Sequence, residues 1–146
     1  MFKWWAILLI LIILIFAGVS FFLKAKKESK TTVIINNHSF FATISDTKLT
    51  RTKGLSDKDK LLTGEAMLFI FPDLKKRTFW MHDMNFNLDI IFIHDQKIVD
   101  IATLQKPNND KIPEYTSKKP ANKVLEINAG LAKKYNIKIG DYVDIK

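Results

Sequence analysis

The chain has 146 residues, with 23 Lys and Arg against 15 Asp and Glu for a net charge of +8. It has no cysteine, which excludes disulfides, thiolate metal sites and a cysteine nucleophile. Five Lys and one Glu fall in residues 1–30, so the remaining 116 residues carry only +4. Their lysines are scattered among acids, which argues against a nucleic-acid partner.

Residues 4–23 hold no charged side chain. As a helix at about 1.5 Å per residue this run spans ~30 Å, the thickness of a bilayer's hydrocarbon core. Lys3 precedes it, and Lys24, Lys26, Lys27 and Lys30 follow. Trp4 and Trp5 suit the interfacial belt at one end of a span. The run predicts a transmembrane anchor over 1–23, with the lipid bilayer as the partner of residues 4–23, and a linker over 24–31. A cleaved signal peptide is the alternative. Its apolar stretch would be only roughly 7–15 residues, and Phe21, Phe22 and Leu23 carry this one past the small residues Ala17, Gly18 and Ser20. The lysines after the run favour a cytoplasmic domain, yet long folded domains translocate largely regardless of charge.

Beyond the linker, Thr32–Asn36 and Ser39–Ile44 are β-prone runs around Asn36, Asn37 and His38, which predicts a hairpin. Asp46 is a candidate cap for a short helix from Thr47 to Lys53, with Gly54 at its exit. Residues 55–65 read as a loop. Ala66–Phe71 has the length and apolarity of a strand closed by Pro72, and Arg77–Met81 is a second strand candidate. Leu88–His94 and Lys97–Leu104 flank an Asp95–Gln96 turn and read as a hairpin. Residues 105–120 contain three prolines and read as a long loop, a feature often functional in compact domains. Asn122–Ile127 reads as a strand, Ala129–Tyr135 as a short helix with Asn128 as cap, and Tyr142, Val143 and Ile145 as a final strand after Gly140–Asp141. The expected fold is a β-rich α+β single domain of about eight short strands in a partly closed, barrel-like sheet with two short helices.

Six segments occur in one order: Gly54–Leu55; Gly64-Glu65-Ala66-Met67-Leu68-Phe69-Ile70-Phe71-Pro72; Phe79–Trp80–Met81; Leu88–Asp89–Ile90; Leu125–Glu126–Ile127–Asn128–Ala129–Gly130; and Gly140–Asp141. Together they resemble the DUF192 (UPF0127) family over residues 32–146. The resemblance implies a small, β-rich, secreted or membrane-anchored domain without an established general function, and it adds weight to an extracytoplasmic location. The chain departs from the family pattern in three places. Ser56, Asp57 and Lys58 stand where many members have Met and Arg, Asn87 stands where Pro is common, and residues 105–120 lack a cysteine pair. The first departure bears on any Arg-dependent anion site.

The densest chemistry lies in Phe79-Trp80-Met81-His82-Asp83-Met84-Asn85. Strand alternation puts Phe79 and Met81 on one face, and Trp80 and His82 on the other. Trp80 offers a flat platform and His82 a titratable ring, which suits a sugar, peptide or aromatic ligand; the plainer alternative is a packed Trp beside an exposed turn His. Asp89 opens one apolar strand, and Glu126 sits within another, opposite in facing to Leu125 and Ile127. Carboxylates are rarely buried unpaired, so both are candidate site residues, or else a turn cap and a structural ion pair. No catalytic residue is assigned, no metal ligands are expected at His38, His82 or His94, and no cofactor is implied. Three functions remain. The first is a membrane-anchored extracytoplasmic binding or accessory module with Trp80, His82, Asp89 and Glu126 as ligand-binding candidates and the 105–120 loop as rim. The second is a small cell-envelope hydrolase using Asp89, Glu126 and His82, and the third is a scaffold for another membrane protein.

Overall fold

Two asparagines set the first turn. In the computed structural model, which describes residues 4–5, 8–14, 28–56, 58–108 and 111–146, β1 (Lys30–Ile35) and β2 (His38–Ser45) pair antiparallel around Asn36 and Asn37. Both have positive φ, 49° and 64°, the twist that a two-residue hairpin turn requires. His38 opens the second strand rather than lying in the turn.

The next strand, β3 (Glu65–Lys75), runs parallel to β2. Parallel neighbours need a crossover, and here it carries α1 (Lys48–Lys53). Thr47 caps this helix, not Asp46 as expected. The Thr47 hydroxyl accepts from the Thr50 N–H, and the Thr50 hydroxyl accepts from the Thr47 N–H. Gly54 leaves the helix at φ +52°. β3 does not end at Pro72; a register shift between Ile70 and Lys75 accommodates the missing donor.

β5 (Leu88–His94) and β6 (Lys97–Leu104) form the expected hairpin, turning through Asp95 at φ 55°. β8 (Ala121–Asn128) inserts between β5 and β3, and β9 (Asp144–Ile145) pairs with β1. The order β6-β5-β8-β3-β2-β1-β9 makes a seven-stranded sheet that curls into a half-barrel. The C-terminal segment ties its two edges. Lys146 and Thr32 exchange backbone hydrogen bonds at one edge, and the Val143 N–H donates to the Gln96 carbonyl at the other.

The expected loop over 105–120 contains a ninth strand. β7 (Glu114–Thr116) pairs with β4 (Thr78–Trp80) in a separate two-stranded ribbon. Buried Asp100 fastens this segment by accepting from the Tyr115 hydroxyl and the Lys118 N–H. The second helix, α2 (Leu131–Lys134), is shorter than expected, and Asn128 does not cap it. Asn128 instead donates to the Leu61 carbonyl at 2.7 Å, tethering the crossover.

Continuous apolar runs in β5 and β8 bury both faces of the sheet. One face gathers Leu68, Ile91, Ile93, Leu125, Ile127 and Ala132. The other gathers Met67, Phe69, Ile90, Phe92, Val124 and Met81, with Leu55 of the crossover. Alternation places Asp89 on the first face and Glu126 on the second.

Residues 4–5 and 8–14 are helical, and their large apolar side chains are exposed. The transmembrane helix expected over 4–23 is not shown. Among the described residues no helix is long and apolar enough to cross a membrane, and residues 6–7 and 15–23 of the run lie outside the described residues.

Candidate functional site

The crossover covers the second face with a helix that buries none of its own residues, which leaves open space on both flanks. On one flank is a cleft of about 270 Å³ lined by Phe69, Phe79, Trp80, Met84 and Glu126, and by Lys48 and Arg51 of α1. Its aromatic wall is packed edge to face. The Phe79 ring meets Phe69 edge-on at 4.9 Å and Phe92 at 5.8 Å. Phe71, also lining the cleft, lies against two guanidinium groups, Arg77 at 4.0 Å and Arg51 at 5.1 Å. Arg51 donates to the carbonyls of Asp46 and Ile70, pinning α1 to β3. Hydrogen bonds from Lys75 and then Arg77 hold the Asp73 carboxyl down at about 2.

Glu126 is the unusual member. Its residue is 5% exposed, and its Oε2 has no hydrogen-bond partner among the described residues. Burial pushes its carboxyl up from 4.5 to about 8. At neutral pH the group is therefore mainly a neutral acid, able to donate one hydrogen bond and accept others.

Trp80 also lines the cleft and is 57% exposed, while Met81 is fully buried. His82 stands behind it, with ring centres 5.6 Å apart and a tilt of 35°. Its Nδ1 pairs with Asp83 at 2.7 Å, and it is not among the cleft-lining residues. It touches the site indirectly, because its carbonyl accepts from the hydroxyl of Ser56, which does line the cleft.

Asp89 lies elsewhere. Its Oδ1 accepts from the Thr103 hydroxyl at 2.7 Å, and its Oδ2 from the Ala132 N–H at the start of α2 at 2.9 Å. Asp89 and Glu126 thus occupy opposite faces of the sheet, and the structure does not assemble Asp89, Glu126 and His82 into one acid–base site. Nor do the described residues of 105–120 line the cleft; the segment supports β4 through β7. Among the described residues no group of three His, Cys, Asp or Glu side chains is arranged to hold a metal ion.

The lining residues that sequence reasoning did not single out as ligand contacts include Arg51, Gly54, Ser56, Phe69 and Phe71. Gly54 and the β3 phenylalanines carried a signal, since they belong to the ordered segments noted above. Arg51 carried none, because a helical arginine is ordinary until the helix is placed over the sheet.

The family model for DUF192, described as uncharacterized ACR, COG1430, matches residues 31–145. The chain belongs to the DUF192 family. Two solved structures share the fold. A protein from Sinorhizobium meliloti 1021, designated a candidate transcription regulator, aligns with TM-score 0.72 and 27% identity, covering 81% of this chain and 95% of that one. A Novosphingobium aromaticivorans DSM 12444 protein of unknown function aligns with TM-score 0.70 and 31% identity, covering 84% and 88% respectively. No curated protein matches the chain. The cleft beside Glu126 lies within the matched residues, with Trp80 from the ribbon and Arg51 from the crossover.

Proposed function

We propose that this DUF192 domain is a binding module of the cell envelope, anchored in a membrane by residues 4–23 and facing the extracytoplasmic side. Its cleft takes a small, uncharged, flat ligand bearing a hydroxyl or amide group. The observation that carries the reading is the buried, unpaired Oε2 of Glu126 among aromatic rings. An orphaned buried polar atom costs about 1–3 kcal/mol, and a ligand group that pairs with it recovers part of that. Trp80 supplies a stacking surface above. A cationic ligand would face Lys48 and Arg51, whereas a neutral ring stacks on the aromatic wall and pairs with the protonated Glu126 carboxyl. The anchor is supported by the length and apolarity of the run and by the exposure of its described residues.

The binding test is a titration of Trp80 fluorescence in the full-length chain carrying Trp4→Phe and Trp5→Phe, with N-acetylglucosamine and with benzamide as probes. A saturable change that Glu126→Leu abolishes supports the reading. No saturable change with either probe, or one indifferent to Glu126→Leu, refutes it. Protease treatment of intact cells tests the topology: a C-terminal tag on an outward-facing domain is removed, and a protected tag contradicts the placement.

A further inference from the structure

A second cavity of about 500 Å³ lies on the other flank of α1. Lys48, Arg51 and Thr52 line the first cleft, whereas Thr47, Leu49 and Thr50 line this one. Their floors are neighbours in the sheet, since Met67 in the second cavity stands directly across from Glu126 in the first. Among the described residues, two buried side-chain atoms lack a hydrogen-bond partner, Glu126 Oε2 and Ser45 Oγ. The residue that carries each lines one of the two spaces.

Ser45 is 1% exposed. It ends β2 beside Phe69 in the register, and alternation places it with Thr43 on the face that carries Met67. Its hydroxyl is able both to donate and to accept, and nothing among the described residues uses it. The surrounding wall differs from that of the first cleft. Its apolar part is Ile44, Leu49 and Met67, with no aromatic ring. Its charges are mixed, with Glu28 and Asp46 against Lys53 and Lys58, so the cavity favours neither sign of ligand.

We infer that this cavity is a second ligand site, for an uncharged aliphatic molecule with one hydrogen-bonding head group that pairs with Ser45 Oγ. The aliphatic wall takes the chain, the hydroxyl takes the head, and the balanced charges give no return for desolvating an ionic group. The site is distinct in chemistry from the aromatic cleft and does not depend on that cleft having a ligand.

The absence of cysteine provides the test. Ser45→Cys places the chain's one thiol at the cavity floor, and its modification by N-ethylmaleimide in the full-length chain reports access. The expected result is modification that 1-hexanol, at about four times its dissociation constant, slows about fivefold and that hexanoate at equal concentration leaves unchanged. No modification of the folded chain, equal protection by both probes, or protection by neither overturns the inference. Ser45→Ala gives a second reading that does not depend on the thiol. Binding of 1-hexanol, followed by saturation-transfer NMR, weakens about fivefold in this variant if the hydroxyl holds the head group. An unchanged affinity overturns the assignment.

Discussion

Replacing Glu126 by Gln should remove most of one pH-dependent component of the domain's stability. In the native protein the carboxyl titrates at about 8, raised by burial, against an ordinary value of 4.5. The native state therefore holds its proton in a range where the unfolded chain has released it. The contribution is fully present below pH 4.5 and is lost as pH rises toward 8. The slope is about 1.4 kcal/mol per pH unit, so stability falls by about 3 kcal/mol between pH 5 and pH 7 and levels off above pH 8 after a total of about 5 kcal/mol. Glutamine is nearly isosteric and does not titrate. His38, His82 and His94 are common to both chains, so their contributions cancel in the difference. Urea unfolding of the full-length wild type and of Glu126→Gln, followed by near-ultraviolet circular dichroism at pH 5, 6, 7 and 8, measures it. The variant should gain on the wild type by about 3 kcal/mol between pH 5 and pH 7. Parallel stability curves across that range would show that Glu126 is ionised and solvated, or paired, and would refute the argument.

Other substitutions separate the structural carboxylate from the one in the cleft. Asp89→Ala leaves the Thr103 hydroxyl and the Ala132 N–H without their acceptor and should lower unfolding stability by about 2–4 kcal/mol while leaving probe binding by the folded protein unchanged. Gly54→Ala forces a side chain into φ +52°, with its Cβ 3.4 Å from the Phe69 ring. It should cost about 1–3 kcal/mol in the same urea assay and distort the cleft wall, weakening probe binding. Thr47→Ala breaks the reciprocal cap of α1 and should cost about 1 kcal/mol, read as a lowered melting temperature.

The strands were legible where the physics is local. β5 and β6 announced themselves through apolar patterning on either side of Asp95, and the first hairpin through two asparagines that tolerate positive φ. The facing of Glu126 also followed from alternation, because its neighbours Leu125 and Ile127 both needed the opposite side. What escaped was set by distant pairing. β7 is a three-residue strand whose partner is β4, so no periodicity within 105–120 could reveal it. The passage of β3 through Pro72 depends on a bulge against β8. Asp89 looked equivalent to Glu126 as a carboxylate in an apolar strand, yet the Thr103 hydroxyl and the α2 backbone satisfy it. Only their assignment to opposite faces separates a helix-capping acid from an orphaned one. The cap of α1 turned on a single position, Thr47 rather than Asp46, because Thr50 sits where reciprocity is possible.

The most direct test is the titration of the Glu126 side-chain carboxyl by carbon-13 NMR in the full-length chain, assigned by its loss in Glu126→Gln. The signal should stay that of a protonated acid through neutral pH, with a midpoint near 8, and should shift when a neutral probe saturates the cleft. A midpoint near 4.5, with no response to either probe, would contradict a buried, unpaired acid waiting for a ligand.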